Sequence, residues 1–211
     1  MTARLVVVRH GETRWNVAGR IQGHADSPLT DTGLAQAEAI AHRLARERFD
    51  RLVASDLGRA RRTAEAIARL TGHVVESDPR LRERHFGEGE GLTYEEIDAR
   101  FPDAFSRTRE TDPDYVVPGG ESRRQFFERV RGAFEDIASA STERRVAVVC
   151  HGGVLAALYR HVNGWAIAEP RAIAIPNAAY NALARGPDGW RVEAWADTAH
   201  LDSATGAFVE P

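Results

Sequence analysis

Two apolar runs frame this chain. Leu5-Val6-Val7-Val8 and Val146-Ala147-Val148-Val149-Cys150 are short, continuous and rich in β-branched residues. Such runs predict strands covered on both faces, as in a parallel sheet. Each stops on a polar cluster with glycine: Arg9-His10-Gly11 after the first, His151-Gly152-Gly153 after the second. In open α/β sheets, ligands bind beyond the carboxyl ends of the strands. Two strands that each deliver a histidine at the tip are expected to converge on one pocket. The plainer reading is two unrelated polar strand ends.

Between and around these runs the pattern alternates strand with helix. Thr30 is expected to cap a helix reaching about Arg48, with Leu34, Ala37, Ala41 and Leu44 on one face. Arg51 to Ser55 reads as a second strand. A helix from Leu57 to about Leu70 comes next, buried along Ala60, Ala64, Ile67 and Leu70 and ended by Gly72. Val74-Val75 is a short third strand. Thr93-Tyr94-Glu95-Glu96 has the form of a capping box and opens a short helix that stops before Pro102. Pro118 to Ser122 turns into a helix to about Ser139, with Phe126, Phe127, Val130, Phe134 and Ile137 as its stripe. Gly152-Gly153 begins a helix through Val162, and residues 171 to 175, 178 to 184 and 190 to 195 alternate as strands. Two polar, glycine-bearing stretches, residues 10 to 30 and 77 to 92, read as loops of a length usually kept for function. The expected fold is a three-layer α/β/α sandwich with a mostly parallel central sheet. No linker composition divides the 211 residues, so one domain is expected over 1–211. Residues 84–118 are expected to form a helical and loop insertion over the site, and 198–211 a loosely held tail.

Composition narrows the chemistry. The net charge is −3, so polyanion affinity cannot come from the chain as a whole, and no basic stripe with interleaved aromatics suggests nucleic acid. Any phosphate affinity must be local; all 28 basic residues are arginine. One cysteine excludes an internal disulfide and suits a reducing compartment. Met1 to Arg4 runs into the first strand with no room for a signal peptide, and no apolar run reaches membrane-spanning length. The expectation is a soluble cytoplasmic protein, monomer or homodimer, without a membrane partner. Metal-ligand spacing such as His-Glu-x-x-His is absent, and no metal or cofactor is expected.

The polar residues at the ends of these elements are Arg9, His10, Asn16, Arg59, Glu83 and His151. Two histidines and two arginines in one cleft suit a dianionic phosphoryl group, because the arginine fork matches phosphate oxygens. Arg59 lies in the first turn of its helix, where the dipole favours an anion. The helix after His151 adds backbone donors at Gly152. Positive neighbours lower a histidine's pKa and keep a nucleophilic lone pair available. Departure of an alkoxide also needs a proton, which a carboxyl group in the cleft can supply.

At this point the chain resembles the histidine phosphatase superfamily, the phosphoglycerate mutase-like group. The resemblance runs in order through Arg9-His10-Gly11-Glu12-Thr13, Trp15-Asn16, Gln22-Gly23, Asp26-Ser27-Pro28-Leu29-Thr30 and Ser55-Asp56-Leu57-Gly58-Arg59-Ala60. It continues through Leu81-Arg82-Glu83, Phe86-Gly87, Gly119-Gly120-Glu121-Ser122 and Cys150-His151-Gly152-Gly153, covering about residues 4 to 185. It implies His10 as a nucleophile that becomes phosphohistidine. Arg9, Arg59 and His151 would hold the phosphoryl oxygens with Asn16 assisting, and Glu83 would protonate the leaving oxygen and then activate water. Gln22 and Gly23 fall where the family meets substrate, and no metal is implied. Asn177 matches a family position near the pocket but reads equally as a turn asparagine. A surface salt bridge is the plainer role for Glu83, and a buried core thiol for Cys150. His24, His42, His73, His85, His161 and His200 lack motif context.

The superfamily holds both phosphatases and mutases. Mutases look longer after the acid segment and carry basic residues there. Here 37 residues lie between Glu83 and Glu121, and they begin acidic, with Glu88, Glu90, Glu95, Glu96 and Asp98. The short, broad-specificity phosphatase branch fits best, acting on a small phosphorylated metabolite. The alternatives are a cofactor-dependent phosphoglycerate mutase and a non-catalytic phosphate-binding module. Gly89 stands where relatives often have an aromatic residue, which suggests extra room beside the acid.

Overall fold

The chain alternates strands and helices as the hydrophobic pattern requires. A computed structural model describes residues 1–101, 112–169 and 173–201. In chain order these give β1 (Ala3–Arg9), α1 (Arg14–Val17), α2 (Asp31–Leu44), β2 (Arg51–Ala54), α3 (Gly58–Thr71), β3 (Val75–Ser77) and α4 (Tyr94–Arg100). Then come α5 (Arg123–Ser139), β4 (Arg145–Cys150), α6 (Gly152–Asn163), β5 (Tyr180–Gly186) and β6 (Gly189–Asp197).

The strands form one sheet in the order β3-β2-β4-β1-β5-β6. β1 to β4 run parallel, while β5 and β6 extend the sheet as an antiparallel pair beside β1. Alternation along β1 sends Leu5 and Val7 to one face, packed with Val148, Phe134 of α5 and Leu155 of α6. Val6 and Val8 face the other way, onto Ile40 of α2 and Ile67 of α3. These two cores, one on each side of the sheet, make the three layers.

The register of β1 on β4 sets the position of the polar tips. Arg9 stands opposite Cys150, and the His10 N–H continues the ladder to the Cys150 carbonyl at 3.0 Å. The residue after each strand is therefore a histidine beside a histidine.

Several expectations change at their edges. Residues 10 to 30 are not all loop: Thr13 and Asn16 form a reciprocal capping box around the single turn of α1. α2 ends at Leu44 rather than Arg48, and Leu34 is exposed, not buried. Gly33 presses against the backbone of Gly11 and Glu12, and Gln36 accepts the Glu12 N–H at 2.8 Å, so the helix turns Gly33, Gln36 and Ala37 inward instead. Of the strand expected over 171 to 175, Ile173 to Ile175 adopt no strand, while 171 and 172 lie outside the described residues. β5 starts only at Tyr180, because Ala178 takes a left-handed turn with φ of 54°. The expected tail is held as far as Leu201, with His200 bonded to the Ala178 carbonyl at 3.0 Å; residues 202–211 lie outside the described residues. So do 102–111 of the expected insertion, whose Phe86, Thr93, Tyr94 and Glu95 line a cavity at the strand ends.

Candidate active site

At the carboxyl ends of the parallel strands lies a cavity of about 320 Å³. Its inner wall is made by Arg9, His10, Asn16, Gln22, Gly23, Arg59, Glu83 and Gly152. His151 is wholly buried directly behind, its ring centroid 5.2 Å from that of His10. All nine residues singled out from the sequence are thus brought together, from six separate stretches of chain.

His10 is oriented by its own backbone. Nδ1 lies 2.7 Å from the Gly11 carbonyl, which can only accept, so Nδ1 carries the proton and the neutral ring keeps its lone pair on Nε2. Burial lowers the His10 pKa well below the ordinary value, and the charges of Arg59 and Arg9 lower it further. The main chain at this point is pinned from β5's side of the sheet: Asn177 Nδ2 donates to the His10 carbonyl at 2.9 Å, and the Ala178 N–H to the Arg9 carbonyl at 3.0 Å. Asn177 thus sits in a turn and supports the main chain of His10 from behind, without lining the cavity.

His151 is likewise held neutral, by burial first, then by Arg59, His10 and Arg9. Its Nε2 pairs with Ser55 Oγ at 2.8 Å, the residue just past β2, while its buried Nδ1 has no partner among the described residues. A buried polar atom left this way is costly unless water or a ligand meets it.

The arginines are anchored by carbonyls. Arg9 Nη1 donates to the Ile175 carbonyl at 2.7 Å. Arg59 is nearly inaccessible; it donates to the carbonyls of Gly23 (2.7 Å) and Ala25 (2.8 Å) and pairs with Asp26 at 3.2 Å. Its Nε, also buried, has no partner among the described residues. Gly23 contributes by its backbone: it is left-handed, and a Cβ there would collide with the Glu90 carboxylate. The amide oxygen of Asn16 is taken by the N–H and hydroxyl of Thr13, which fixes the side chain against the cavity wall.

Glu83 reaches the cavity from the stretch between β3 and α4. Oε2 accepts the Gly153 N–H at the start of α6, and Oε1 the Arg84 N–H, each at 2.8 Å. Any Cβ at Gly153 would strike this carboxylate, which explains the second glycine of the pair. Gly89 does not open the cavity; it is buried against Ile97 and Val117, away from the wall. Cys150 is wholly buried and its thiol pKa is pushed up by burial, as suits a core residue.

Beyond the inner wall the cavity widens past Trp15, Ile21, Phe86 and Tyr94, with Arg20 and Glu95 at the rim. Arg20 is already engaged by Glu96 at 2.8 Å and by the Gly91 carbonyl at 2.6 Å. Among the described residues no cluster of three or more His, Cys, Asp or Glu is placed to hold a metal. Among them, too, no helix is long and apolar enough to cross a membrane.

Sequence reasoning missed Ser55 and His24. Ser55 opens the Ser-Asp-Leu-Gly-Arg-Ala motif directly after a strand end, which is a usable signal. His24 donates to the Glu83 carbonyl at 3.0 Å across a wide gap in sequence, and nothing local announces it.

Residues 5–198 match the family model described as the histidine phosphatase superfamily (branch 1). The chain is 41% identical over 203 residues to a metal-independent phosphoserine phosphatase of Arabidopsis thaliana, covering 94% of this chain and 83% of that one. It is 38% identical over 204 residues to phosphoglycerate mutase-like protein 4 of the same plant, covering 95% and 87%. Among solved structures, YhfR of Bacillus stearothermophilus superposes with a TM-score of 0.89 at 29% identity, covering 95% of this chain and all of that one.

Proposed function

Since the chain belongs to the histidine phosphatase superfamily, we propose that it hydrolyses small phosphomonoesters without a metal, through a phosphohistidine on His10. The observation that carries this reading is the inner wall: one nucleophilic nitrogen with its lone pair fixed on Nε2, two arginines, a second neutral histidine and one carboxyl group around a single small cavity.

In the first step His10 Nε2 attacks phosphorus, and the ester P–O bond breaks as the N–P bond forms. Glu83, in its acid form, gives its proton to the departing alkoxide. Arg9, Arg59, His151 Nδ1, Asn16 and the Gly152 N–H meet the three equatorial oxygens, where charge is spread in phosphoryl transfer. In the second step the Glu83 carboxylate takes a proton from water, whose oxygen bonds to phosphorus as the N–P bond breaks. His10 is released neutral, and phosphate leaves.

Size and lining suit a small phosphorylated metabolite. A cavity of about 320 Å³ has room for a phosphoryl group on a small organic skeleton. Hydrolysis fits better than isomerisation. A mutase must retain a second anionic group of its substrate, whereas among the described residues the rim offers Arg20, already paired with Glu96, and the carboxylate of Glu95.

The test is p-nitrophenyl phosphate hydrolysis in EDTA. The wild type should turn over, and His10→Ala should lose at least about 10³-fold, as expected for removal of a covalent nucleophile. Equal rates for the two proteins would overturn the reading. Bisphosphate-stimulated interconversion of 3- and 2-phosphoglycerate would transfer it to the mutases.

A further inference from the structure

Glu83 sits in a stretch without regular ladder bonds, between a 3₁₀ turn that ends at Leu81 and another that begins at Gly87. A proton donor must stay within hydrogen-bond reach of the leaving oxygen, and a loop does not hold it there unaided. The carboxylate tips are fixed by the Arg84 and Gly153 N–H groups. What fixes the other end of the residue is a pair of side chains that share its main-chain carbonyl.

From one side His24 Nε2 approaches the Glu83 carbonyl at 3.0 Å. A carbonyl only accepts, so His24 carries its proton on that nitrogen. From the other side Arg129, on α5, donates Nη2 to the same oxygen at 3.2 Å, and Nη1 to the carbonyls of Arg82 (3.0 Å) and Arg80 (2.7 Å). One guanidinium thus reads three carbonyls of the segment that ends at the acid.

Arg129 is itself aimed. Both oxygens of Glu121 engage it, in an ion pair that is mostly shielded from solvent. Glu121 also accepts the His85 N–H at 2.9 Å, and its own N–H returns to the His85 carbonyl at 2.9 Å. Glu121 belongs to the Gly119-Gly120-Glu121-Ser122 motif, which has no place on the cavity wall. Its tight turn is obligatory: a Cβ at Gly120 would press on the His85 carbonyl.

We propose that Arg129, aimed by Glu121, and His24 are positioning residues that clamp the Glu83 carbonyl from two sides and so set the reach of the acid. This gives the glycine-glycine-glutamate-serine motif a task in catalysis at a distance from the substrate. The charge of Arg129 is neutralised by Glu121, so the clamp works through geometry. The inference rests on the reading of Glu83 as proton donor.

Leaving-group dependence tests it. A p-nitrophenolate departs without help, whereas the alkoxide of glycerol 2-phosphate needs the proton. The ratio kcat/KM covers steps only through the first irreversible one, formation of the phosphoenzyme. In Arg129→Met and in His24→Ala, kcat/KM for glycerol 2-phosphate should fall about 10- to 100-fold, a part of what general acid catalysis supplies. For p-nitrophenyl phosphate it should fall less than about 3-fold. Arg129→Lys, which keeps a donor, should recover part of the loss. Equal losses on both substrates would mean a disturbed phosphate pocket and overturn the proposal, as would no loss on either. If Arg129→Met does not fold, His24→Ala carries the same comparison, since His24 is a half-buried loop residue. Glu83→Gln is run in parallel. If it fails to separate the two substrates, the acid itself has been misassigned and the clamp falls with it.

Discussion

An imidazole in water is half protonated near pH 6.5; His10 and His151 are kept from that state by burial and then by neighbouring positive charge. Activity and stability both feel this. The acid limb of kcat/KM that reports His10 should lie below pH 6.5, so that activity persists into mildly acidic solution. Stability should move the opposite way. In the unfolded chain both rings protonate at their ordinary pKa, while in the folded protein they do not until lower pH. Below pH 6.5 the unfolded state therefore binds more protons, and stability falls by up to about 1.4 kcal/mol per pH unit for each ring. Above about pH 8 neither ring contributes appreciable slope. Urea midpoints compared at pH 7.5 and 5.5 should show the decline, with added phosphate at equal ionic strength reducing it.

At the scale of elements, the site is an assembly of termini. β1 and β4 supply the two histidines, α3 supplies Arg59 in its first turn, and α6 supplies Gly152 and Gly153 in its own. Gly153 separates stability from activity. It is helical, and alanine is the better helix former by about 1 kcal/mol, yet a methyl group there must displace the Glu83 carboxylate. Gly153→Ala should leave the thermal midpoint within a few degrees of wild type and lower alkyl phosphate turnover at least about 10-fold. The strand tips and the α3 arginine were legible in the sequence because abrupt ends of apolar runs and helical spacing are local signals. Leu34 was misread for a tertiary reason: two glycines, Gly11 and Gly33, let backbones touch and rotate the start of α2. His24, Arg129 and Glu121 were illegible in role because they act on main-chain groups far along the chain, which no periodicity encodes.

For the molecule as a whole, an anion held as proposed by Arg9, Arg59 and the two histidines would link both helical layers through the sheet, since α3 packs on one face and α6 on the other. A ligand that needs all of these at once binds the folded state alone, and its effect is global. Phosphate or vanadate well above its dissociation constant should raise the unfolding free energy in proportion to the logarithm of its concentration, by about 2.7 kcal/mol at one hundred times that constant, and the thermal midpoint with it. Arg59→Met should abolish most of that shift in a thermal scan.

The pairing of β1 with β4 also sets an order of events during synthesis. The ribosome releases His10 among the first residues and His151 only after β2 and β3 have emerged, yet the two must lie side by side. A nascent chain that stops short of β4 already carries Arg9, His10, Arg59 and Glu83 but lacks His151, Gly152 and Gly153, so the wall of the cavity is incomplete. On the reading proposed above, turnover begins only once the last parallel strand lies between β1 and β2 and the stretch Ile175 to Ala178 beyond it has pinned Arg9 and His10, so phosphate release would report that the sheet has closed around β1.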